Sequence, residues 1–257
     1  MGVDIEIFGR LVELSTRFRP KGRTLMLGRQ QFVPADRFAW RYEKVLSDNG
    51  LDLALGDLVQ DDGFSETLFR KLGFGEIETM DFSPYEGAGV IHDLNDAAPK
   101  PLEKKFDFIF DGGTIEHVFN VPVALASMFR MLKVGGRFVS ANGLNGWHGH
   151  GMYQFNPELV WSFWRRNCGC EVHDCRGMQK TPRGNGVQIQ FPDPAEQGAR
   201  LRLGRLVPDG RVYLYYEVER LKTSALQGRV LQSDYELSWR DHENAGETRF
   251  NDEMVTG

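Results

Sequence analysis

The stretch FDFIFDGGTIEHVFNVPVALASMFRMLKVGGRFV, residues 106–139, decides the fold of this chain. Residues 106–110 form an almost continuous apolar run, which predicts a strand buried on both faces of a parallel sheet. Pro122 suits the first turn of a helix, and apolar residues then recur at helical spacing. Gly135 and Gly136 end that helix before a second strand begins. This order predicts a βαβ unit.

An acidic, glycine-containing turn follows the first strand of this unit. Asp111, Gly112 and Gly113 come directly after the apolar run, and the two glycines permit tight turns and the close approach of a ligand. In open α/β sheets, ligands bind outside the carboxyl ends of the strands. We therefore expect residues 111–117 to face a ligand site.

Two motifs of this block resemble class I S-adenosylmethionine-dependent methyltransferases. Residues 115–118 (Ile-Glu-His-Val) resemble the turn after the fourth strand of that family, and residues 132–136 (Leu-Lys-Val-Gly-Gly) resemble the segment before its fifth strand. The resemblance covers roughly residues 23–221. It implies a Rossmann-like α/β fold, with a doubly wound, mostly parallel seven-stranded sheet and an antiparallel C-terminal hairpin.

Composition narrows the class of protein further. The chain has 257 residues, is 41% hydrophobic and carries a net charge of −5, which fits a globular domain and disfavours broad nucleic-acid binding. No apolar run is long enough to cross a bilayer, and acidic residues interrupt the N-terminal segment where a signal peptide would be apolar. We expect a cytoplasmic protein with no membrane partner, whose oligomeric state stays open.

Periodicity and glycine or proline punctuation divide the chain into segments. Short apolar runs predict further strands at residues 24–28, 76–81, 90–93 and 170–175. The predicted parts are an N-terminal helical cap (1–22), the methyltransferase domain (23–221) with a helical insertion (about 48–75) and a lid loop (about 178–199), and a C-terminal extension (222–257). Within the domain, residues 201–207 and 211–218 read as the hairpin.

The resemblance also implies where a methyl donor binds. Asp81, after the second strand, would accept hydrogen bonds from the ribose hydroxyls, and Phe82 would flank the adenine. Asp93, after the third strand, would accept from the adenine amino group, with Leu94 beside the ring. Asp111 and Gly112 would line the methionine end. Each carboxylate taken singly could instead be an ordinary turn or capping residue, as the Asp81-Phe82-Ser83-Pro84 sequence shows.

The glycine-rich turn expected after the first strand is atypical. In residues 27–31 only Gly28 matches the family pattern. Arg29 or Gln30 could hold the methionine carboxylate in place of backbone amides, since a guanidinium binds a carboxylate bidentately. Altered or absent donor binding is the other interpretation of this turn.

Candidate bases and acceptor contacts follow the fourth and fifth strands. His117, His148 and His150 are the candidate catalytic residues, since histidine titrates near neutral pH. We expect His150 or His148 to act as the base and His117 to form a wall of the site. The nearby polar and aromatic side chains suit stacking on a small or sugar-like (glycan) acceptor and hydrogen bonding to its hydroxyls, so we predict O-methylation. They are Trp147, Tyr153, Gln154 and Asn156.

Two groups of side chains contain possible metal ligands. Glu116 and His117 with His148 or His150 could bind a divalent ion, but Gly113 stands where related metal-dependent enzymes carry another carboxylate. Three cysteines, Cys168, Cys170 and Cys175, lie near His173, yet their spacing is not that of a usual zinc knuckle and favours packing.

Two other classes of function stand beside the enzyme. A non-catalytic member of the same fold, binding a nucleoside or a partner protein, would explain the atypical turn at Gly28. A nicotinamide-dependent oxidoreductase is disfavoured, because no G-x-G-x-x-G motif follows the first strand.

Overall fold

Eight strands form one mixed sheet in the computed structural model, which describes residues 2–20, 22–196 and 200–236 together with Trp239 and His242. The order across the sheet is β3-β2-β1-β4-β5-β8-β6-β7. The strands are β1 (Arg23–Leu27), β2 (Glu76–Asp81), β3 (Val90–Ile91), β4 (Phe106–Asp111), β5 (Leu132–Asn145), β6 (Glu171–Gln179), β7 (Gln188–Gln190) and β8 (Val212–Glu219).

The pairing confirms a doubly wound, mostly parallel sheet. Strands β1 to β5 pair in parallel, and β8 runs antiparallel between β5 and β6. The short strand β7 adds one antiparallel edge, so the described part of the chain has eight strands where seven were predicted. The carboxyl ends of β1, β2 and β4 therefore lie together at one edge.

The predicted C-terminal hairpin is wrong in its pairing. Residues 201–207 form no strand, and β8 pairs instead with β5 and β6 on its two edges. The reason is burial: every residue of β8 from Val212 to Val218 is buried, which requires a neighbouring strand on each side. A strand apolar on both faces belongs in the centre of a sheet, and a hairpin arm at the edge would expose one side.

Helices cover both faces of the sheet. Phe108 and Phe110 of β4 belong to a core with the N-terminal helices, whereas Ile109 belongs to a core on the other face. The helices are α1 (Ile5–Arg17), α2 (Ala39–Asp48), α3 (Glu66–Lys71), α4 (Val121–Met131) and α5 (Pro157–Leu159), which continues as a π-helix (Val160–Asn167). Short 3₁₀ turns occur at Asp36–Phe38, Leu55–Leu58, Lys100–Leu102 and Ile115–His117.

Helix α1 is joined to the sheet by one buried and one partly buried ion pair. The Arg17 guanidinium donates to Glu217 at 2.6 Å, and Arg10 donates to Asp174 at 2.9 Å. The Glu217 side chain is fully buried and also accepts a hydrogen bond from the Tyr215 hydroxyl at 2.6 Å. Because a buried charge is costly without partners, these contacts fix α1 against β6 and β8.

Replacing Glu217 with glutamine is expected to lower the free energy of unfolding by about 3 kcal/mol. It removes the charge that compensates Arg17 and the mostly buried Arg137, whose guanidinium lies 3.9 Å from the Glu217 carboxylate. Urea unfolding monitored by circular dichroism measures the change. The control is Glu43→Gln on the exposed face of α2, which should stay within about 0.5 kcal/mol of the parent protein. A loss below about 1 kcal/mol for Glu217→Gln would contradict the assignment.

Residues 48–75 contain one 3₁₀ turn and α3, and the segment predicted as a lid contains the end of β6 and all of β7. Residues 197–199 of that segment and most of 237–257 lie outside the described residues, so the predicted division into cap, domain, lid and extension stays a prediction. Among the described helices, none is long and apolar enough to cross a membrane.

The three cysteines are buried free thiols packed in the core beside the π-helix. Burial raises the pKa of the Cys175 thiol. His173, which the zinc alternative paired with them, contacts Glu219 instead, with 2.8 Å between His173 Nε2 and the carboxylate. These contacts favour the packing role predicted for the cysteines.

Candidate active site

The carboxyl ends of three strands meet around Gly28. This glycine has φ +64°, a left-handed conformation that disfavours other residues, and its amide donates to the Met80 carbonyl at 2.7 Å. A Cβ atom at this position would lie 3.2 Å from Oγ1 of Thr114 and 3.8 Å from Oδ2 of Asp81. Gly28 thus lets the turns after β1, β2 and β4 approach one another.

An open cavity of about 260 Å³ lies at this edge. Four residues predicted to contact the donor nucleoside line it, namely Asp81, Phe82, Asp93 and Leu94. The wall also includes His92, Asn95, Thr114 and His117. Among these four, the sequence predicts a role only for His117, as a wall of the catalytic site. His92 directly precedes Asp93 at the end of β3, and that position is the one signal that could have indicated it.

The two acids of the cavity differ in how their oxygens are used. Oδ1 of Asp93 accepts both the backbone and side-chain N–H groups of Asn95 at 2.8 Å, which lowers the pKa of this carboxyl. Asp81 accepts one long bond, 3.4 Å, from the Ser83 amide. Asp81 therefore keeps most of its capacity to accept hydrogen bonds from a ligand.

Gln30 lies over Gly112 between the turns after β1 and β4. Its Nε2 donates to the Leu27 carbonyl at 2.7 Å, and its side chain is almost fully buried. A Cβ atom on Gly112 would lie only 2.7 Å from Oε1 of Gln30, so the glycine is needed for this contact. Oε1 itself is buried and accepts no hydrogen bond within the described part of the chain.

Arg29 is engaged by other residues of the inserted segment. Its guanidinium pairs with Glu66, donates to Asp62 at 2.7 Å and to the Glu86 carbonyl at 3.0 Å, and stacks on Phe64. The same charges raise the pKa of Arg29, with the hydrogen bond to Glu66 as the main cause. These contacts fix Arg29 and the turn after β1 in place. Arg29 and Gln30 are the two residues predicted to hold the donor carboxylate, and only Gln30 faces Gly112.

Asp111 is fully buried, and all its acceptor capacity is used inside the protein. One oxygen accepts from the amides of Thr114 and Ile115, and the other accepts from Ser140 at 3.0 Å and Asn142 at 2.6 Å. Burial raises the pKa of this carboxyl. Asp111 therefore shapes the turn that presents the following residues.

Glu116 lies in that turn and reaches into the end of β5. Its side chain is 1% exposed, and Oε2 accepts the Gly143 amide at 2.5 Å. Its backbone carbonyl accepts from the amides of Met152 at 2.9 Å and Tyr153 at 3.2 Å. The turn after β4 and the loop after β5 are thus joined at one residue.

The second oxygen of Glu116, Oε1, faces two histidines. It lies 3.3 Å from Nε2 of His150 and 3.8 Å from Nε2 of His117, and the two imidazole rings meet edge to face at 5.1 Å. Burial raises the pKa of Glu116 to about 7 and lowers the pKa of both histidines. We call these three side chains the Glu-His-His cluster. His117 also lines the open cavity described above, which we call the donor cavity because four residues predicted to contact the methyl donor line it, so the cluster and the cavity adjoin.

The other predicted residues of the loop after β5 have different surroundings. His148 is exposed and outside the Glu-His-His cluster. Trp147 is buried, and its Nε1 donates to the Val212 carbonyl at 2.9 Å. The Gln154 side chain accepts from the Trp147 amide, and the Tyr153 hydroxyl donates to the Phe119 carbonyl, each at 2.9 Å. Asn156 accepts from the amide of Glu158 and caps α5. These contacts hold the loop in place.

A doubly wound sheet with a cavity at its carboxyl edge, and acids after adjacent strands, is typical of α/β proteins that bind a nucleoside cofactor. Residues 69–140 match the family model described as a methyltransferase domain. This match confirms the predicted resemblance to methyltransferases over that segment.

The solved structures to which this chain is similar are distant in sequence. A Bacillus halodurans protein provisionally named a methyltransferase shares 12% identity at a TM-score of 0.45, over 86% of this chain and 100% of its own. Geranyl diphosphate methyltransferase in complex with S-adenosylmethionine shares 12% identity at a TM-score of 0.41, over 83% and 84% of the two chains. At this distance the likeness says nothing about acceptor or mechanism. A search of curated protein sequences finds no match to the chain.

Proposed function

We propose that this protein transfers the methyl group of S-adenosylmethionine to a hydroxyl oxygen of a small or sugar-like acceptor. The observation that carries the proposal is the Glu-His-His cluster beside the donor cavity, with His117 common to both. The methyl donor and the group that accepts the proton would then lie next to each other, with His117 contacting both. For this reaction the protein must align the acceptor oxygen with the methyl group and must remove the proton of the acceptor hydroxyl.

The residues of the cavity fit the nucleoside end of the donor. Asp81 has free acceptor capacity for two ribose hydroxyls, and Leu94 offers a buried apolar surface to the adenine. Asp93 could accept a hydrogen bond from the adenine amino group. His92 could contact the nucleoside as well, because its Nε2 is buried and has no hydrogen-bond partner among the described residues. The cavity is smaller than the roughly 300–1,000 Å³ of a typical ligand site. The amino-acid end of the donor would therefore extend beyond it, toward Gln30.

The unsatisfied Oε1 of Gln30 is our candidate acceptor for the donor's ammonium group. A buried carbonyl oxygen without a partner is costly, and a cationic N–H donor would satisfy it. In this role the Gln30 side chain replaces some of the backbone contacts that a glycine-rich turn would make to the donor. Only Gly28 of such a turn is present in this chain.

Replacing Gln30 with methionine, which keeps the volume but removes the acceptor, is expected to weaken S-adenosylhomocysteine binding by about 10-fold or more. Calorimetry measures the dissociation constant. 5′-Methylthioadenosine lacks the amino-acid end, so its affinity should not change in the same variant and serves as the internal control. Equal losses for both ligands would show that the substitution disturbs the nucleoside site and would remove Gln30 from this role.

The transfer itself is an in-line displacement. The acceptor oxygen forms a bond to the methyl carbon while the carbon–sulfur bond breaks, and the sulfur keeps the electron pair as neutral S-adenosylhomocysteine. The hydroxyl proton must leave the acceptor. Nε2 of His150 is the candidate to receive it, since burial lowers its pKa and so keeps the imidazole neutral, and Glu116 would stabilise the imidazolium that forms.

The loop after β5 is the proposed acceptor side. Gln154 and Asn156 are exposed, and Tyr153 and the exposed Met152 flank the Glu-His-His cluster through the backbone of Glu116. Polar side chains interspersed with rings suit a ligand that has both hydroxyls and an apolar face, as a sugar does. Trp147, being buried, would support this surface from beneath.

Incubation with methyl-labelled S-adenosylmethionine and a panel of glycosides and phenols tests the proposal. We expect label transfer to a hydroxyl oxygen, with mass spectrometry and NMR locating the new methyl ether. Label on nitrogen or carbon would contradict O-methylation. If neither S-adenosylmethionine nor S-adenosylhomocysteine bound in calorimetry, the enzyme assignment itself would fail.

A further inference from the structure

We propose that Glu116, His117 and His150 form a binding site for one divalent first-row transition-metal ion. The site would lie between the donor cavity and the acceptor loop. The inference rests on the proposed function for its purpose, since an ion there would hold the acceptor oxygen beside the methyl group. Its evidence, however, is the geometry of three side chains and is independent of any activity.

The first observation is an unsatisfied carboxylate oxygen. The Glu116 side chain is 99% buried, yet its Oε1 accepts no hydrogen bond from any described residue. No lysine or arginine of the described chain pairs with this carboxylate; its recorded ion-pair partners are His117 and His150. A buried carboxylate oxygen that accepts no hydrogen bond is costly, and neutral histidines do not offset its charge; a bound cation would remove that cost.

The second observation is the convergence of three ligand atoms. Oε1 of Glu116 and one nitrogen from each histidine all lie within 4.8 Å of one another. Two ligands of a transition metal, each about 2.1 Å from the ion, are themselves about 3.0–3.4 Å apart. The 3.3 Å between Glu116 and His150 already matches. A rotation of the half-exposed His117 ring would bring its nitrogen, now 3.8 Å from Glu116, within coordination range of an ion held by the other two ligands.

The scaffold around these atoms is rigid on the carboxylate side. The Gly143 amide fixes the other oxygen of Glu116, and the amides of Met152 and Tyr153 fix its backbone carbonyl. Outer contacts of this kind orient ligands in protein metal sites. Trp147 packs against the His150 ring at 5.1 Å and limits its movement.

The donor set determines the kind of ion. Two imidazoles with one carboxylate suit Zn²⁺, Fe²⁺, Mn²⁺ or Co²⁺, whereas Mg²⁺ and Ca²⁺ prefer sites made of oxygen. Three protein ligands leave coordination positions open. An acceptor hydroxyl, or a vicinal pair of hydroxyls, could occupy them, and this makes the absence of a carboxylate at Gly113 compatible with a metal site.

Coordination would change the proton's route but not the methyl transfer. With Nε2 of His150 bound to the ion, the imidazole no longer accepts the hydroxyl proton. The ion lowers the pKa of the coordinated hydroxyl instead, and the proton passes to water. The acceptor oxygen then attacks the methyl carbon as before.

Cobalt titration of the chelator-treated protein tests the proposal. We expect Co²⁺ to bind at one equivalent, with visible absorption bands typical of nitrogen and oxygen ligands, and calorimetry to give the same stoichiometry. Glu116→Gln and His150→Ala should each weaken Co²⁺ binding by at least about 10-fold. His173→Ala, which removes a histidine on β6 that contacts Glu219, is the matched control and should bind Co²⁺ like the parent.

The outcomes separate this inference from the proposed function. If Co²⁺ produces no saturable absorption, or if the Glu116 and His150 variants bind it as the parent does, the metal site is overturned. S-adenosylhomocysteine affinity of each variant, measured alongside, should stay within about 3-fold of the parent and shows that the variants are folded. A protein that binds Co²⁺ as expected but no S-adenosylhomocysteine would keep the metal site and lose the methyltransferase.

Discussion

Replacing His150 with alanine is expected to lower kcat/KM for methyl transfer by about 100-fold or more, the range in which a group that deprotonates the nucleophile acts. The expectation holds whether His150 accepts the proton itself or holds a metal ion, since either role requires its Nε2 beside Glu116. Of the two histidines that the sequence offered as base, only His150 belongs to the Glu-His-His cluster.

Release of S-adenosylhomocysteine, followed over a range of acceptor concentrations, measures this loss. His173→Ala serves as the control for replacing a histidine elsewhere on the sheet. The affinity of the His150 variant for S-adenosylhomocysteine should change little, because His150 is not among the residues that line the donor cavity. A larger loss for His148→Ala than for His150→Ala would show that the exposed histidine is the functional one.

Replacing Asp81 with alanine is expected to weaken S-adenosylhomocysteine binding by about 100-fold, since two hydrogen bonds to a charged acceptor are lost. The 5′-methylthioadenosine affinity should fall by a similar factor, because both ligands carry the ribose. This pattern differs from the one expected for Gln30→Met, in which only the ligand with an amino-acid end is affected.

Calorimetry with the two ligands measures both effects. Asp48→Ala is the control, since Asp48 is an exposed acid of α2 whose recorded partner is Lys44 of the same helix. If Asp81→Ala bound both ligands within about 3-fold of the parent, Asp81 would be a turn residue only. The alternative interpretation of the Asp81-Phe82-Ser83-Pro84 sequence would then be correct.

The central part of the fold could be predicted because its signals are local. The apolar run of β4 and the helix that begins near Pro122 each depend on neighbouring residues, and with β5 they give a parallel pair. The predicted stop at Gly135 is wrong, since the helix ends at Met131 and Gly135 lies within β5. Once the strands are known to be parallel, their carboxyl ends must meet at one edge. The convergence of Asp81 with Gly28 follows from that rule.

The pairing of β8 and the partners of the site residues could not be predicted, because they depend on contacts between distant parts of the chain. Nothing local distinguishes a central antiparallel strand from one arm of a hairpin. Arg29 was offered to the donor because a guanidinium suits a carboxylate, but the carboxylates that engage it belong to Asp62 and Glu66. The buried oxygens of Gln30 and Glu116 that accept no hydrogen bond can likewise be identified only once the packing is known.

The hydrogen bonds from Met152 and Tyr153 to the carbonyl of Glu116 have a consequence for protein engineering. Chimeras that import the loop after β5 from another protein would keep these main-chain bonds only if the imported loop followed the same backbone path beside Glu116, and importing the turn after β4 with it preserves that match. The two segments therefore constitute a single module for recombination, although residues 119–141 separate them in sequence. Libraries designed to alter the acceptor should exchange residues 111–118 and 142–156 together.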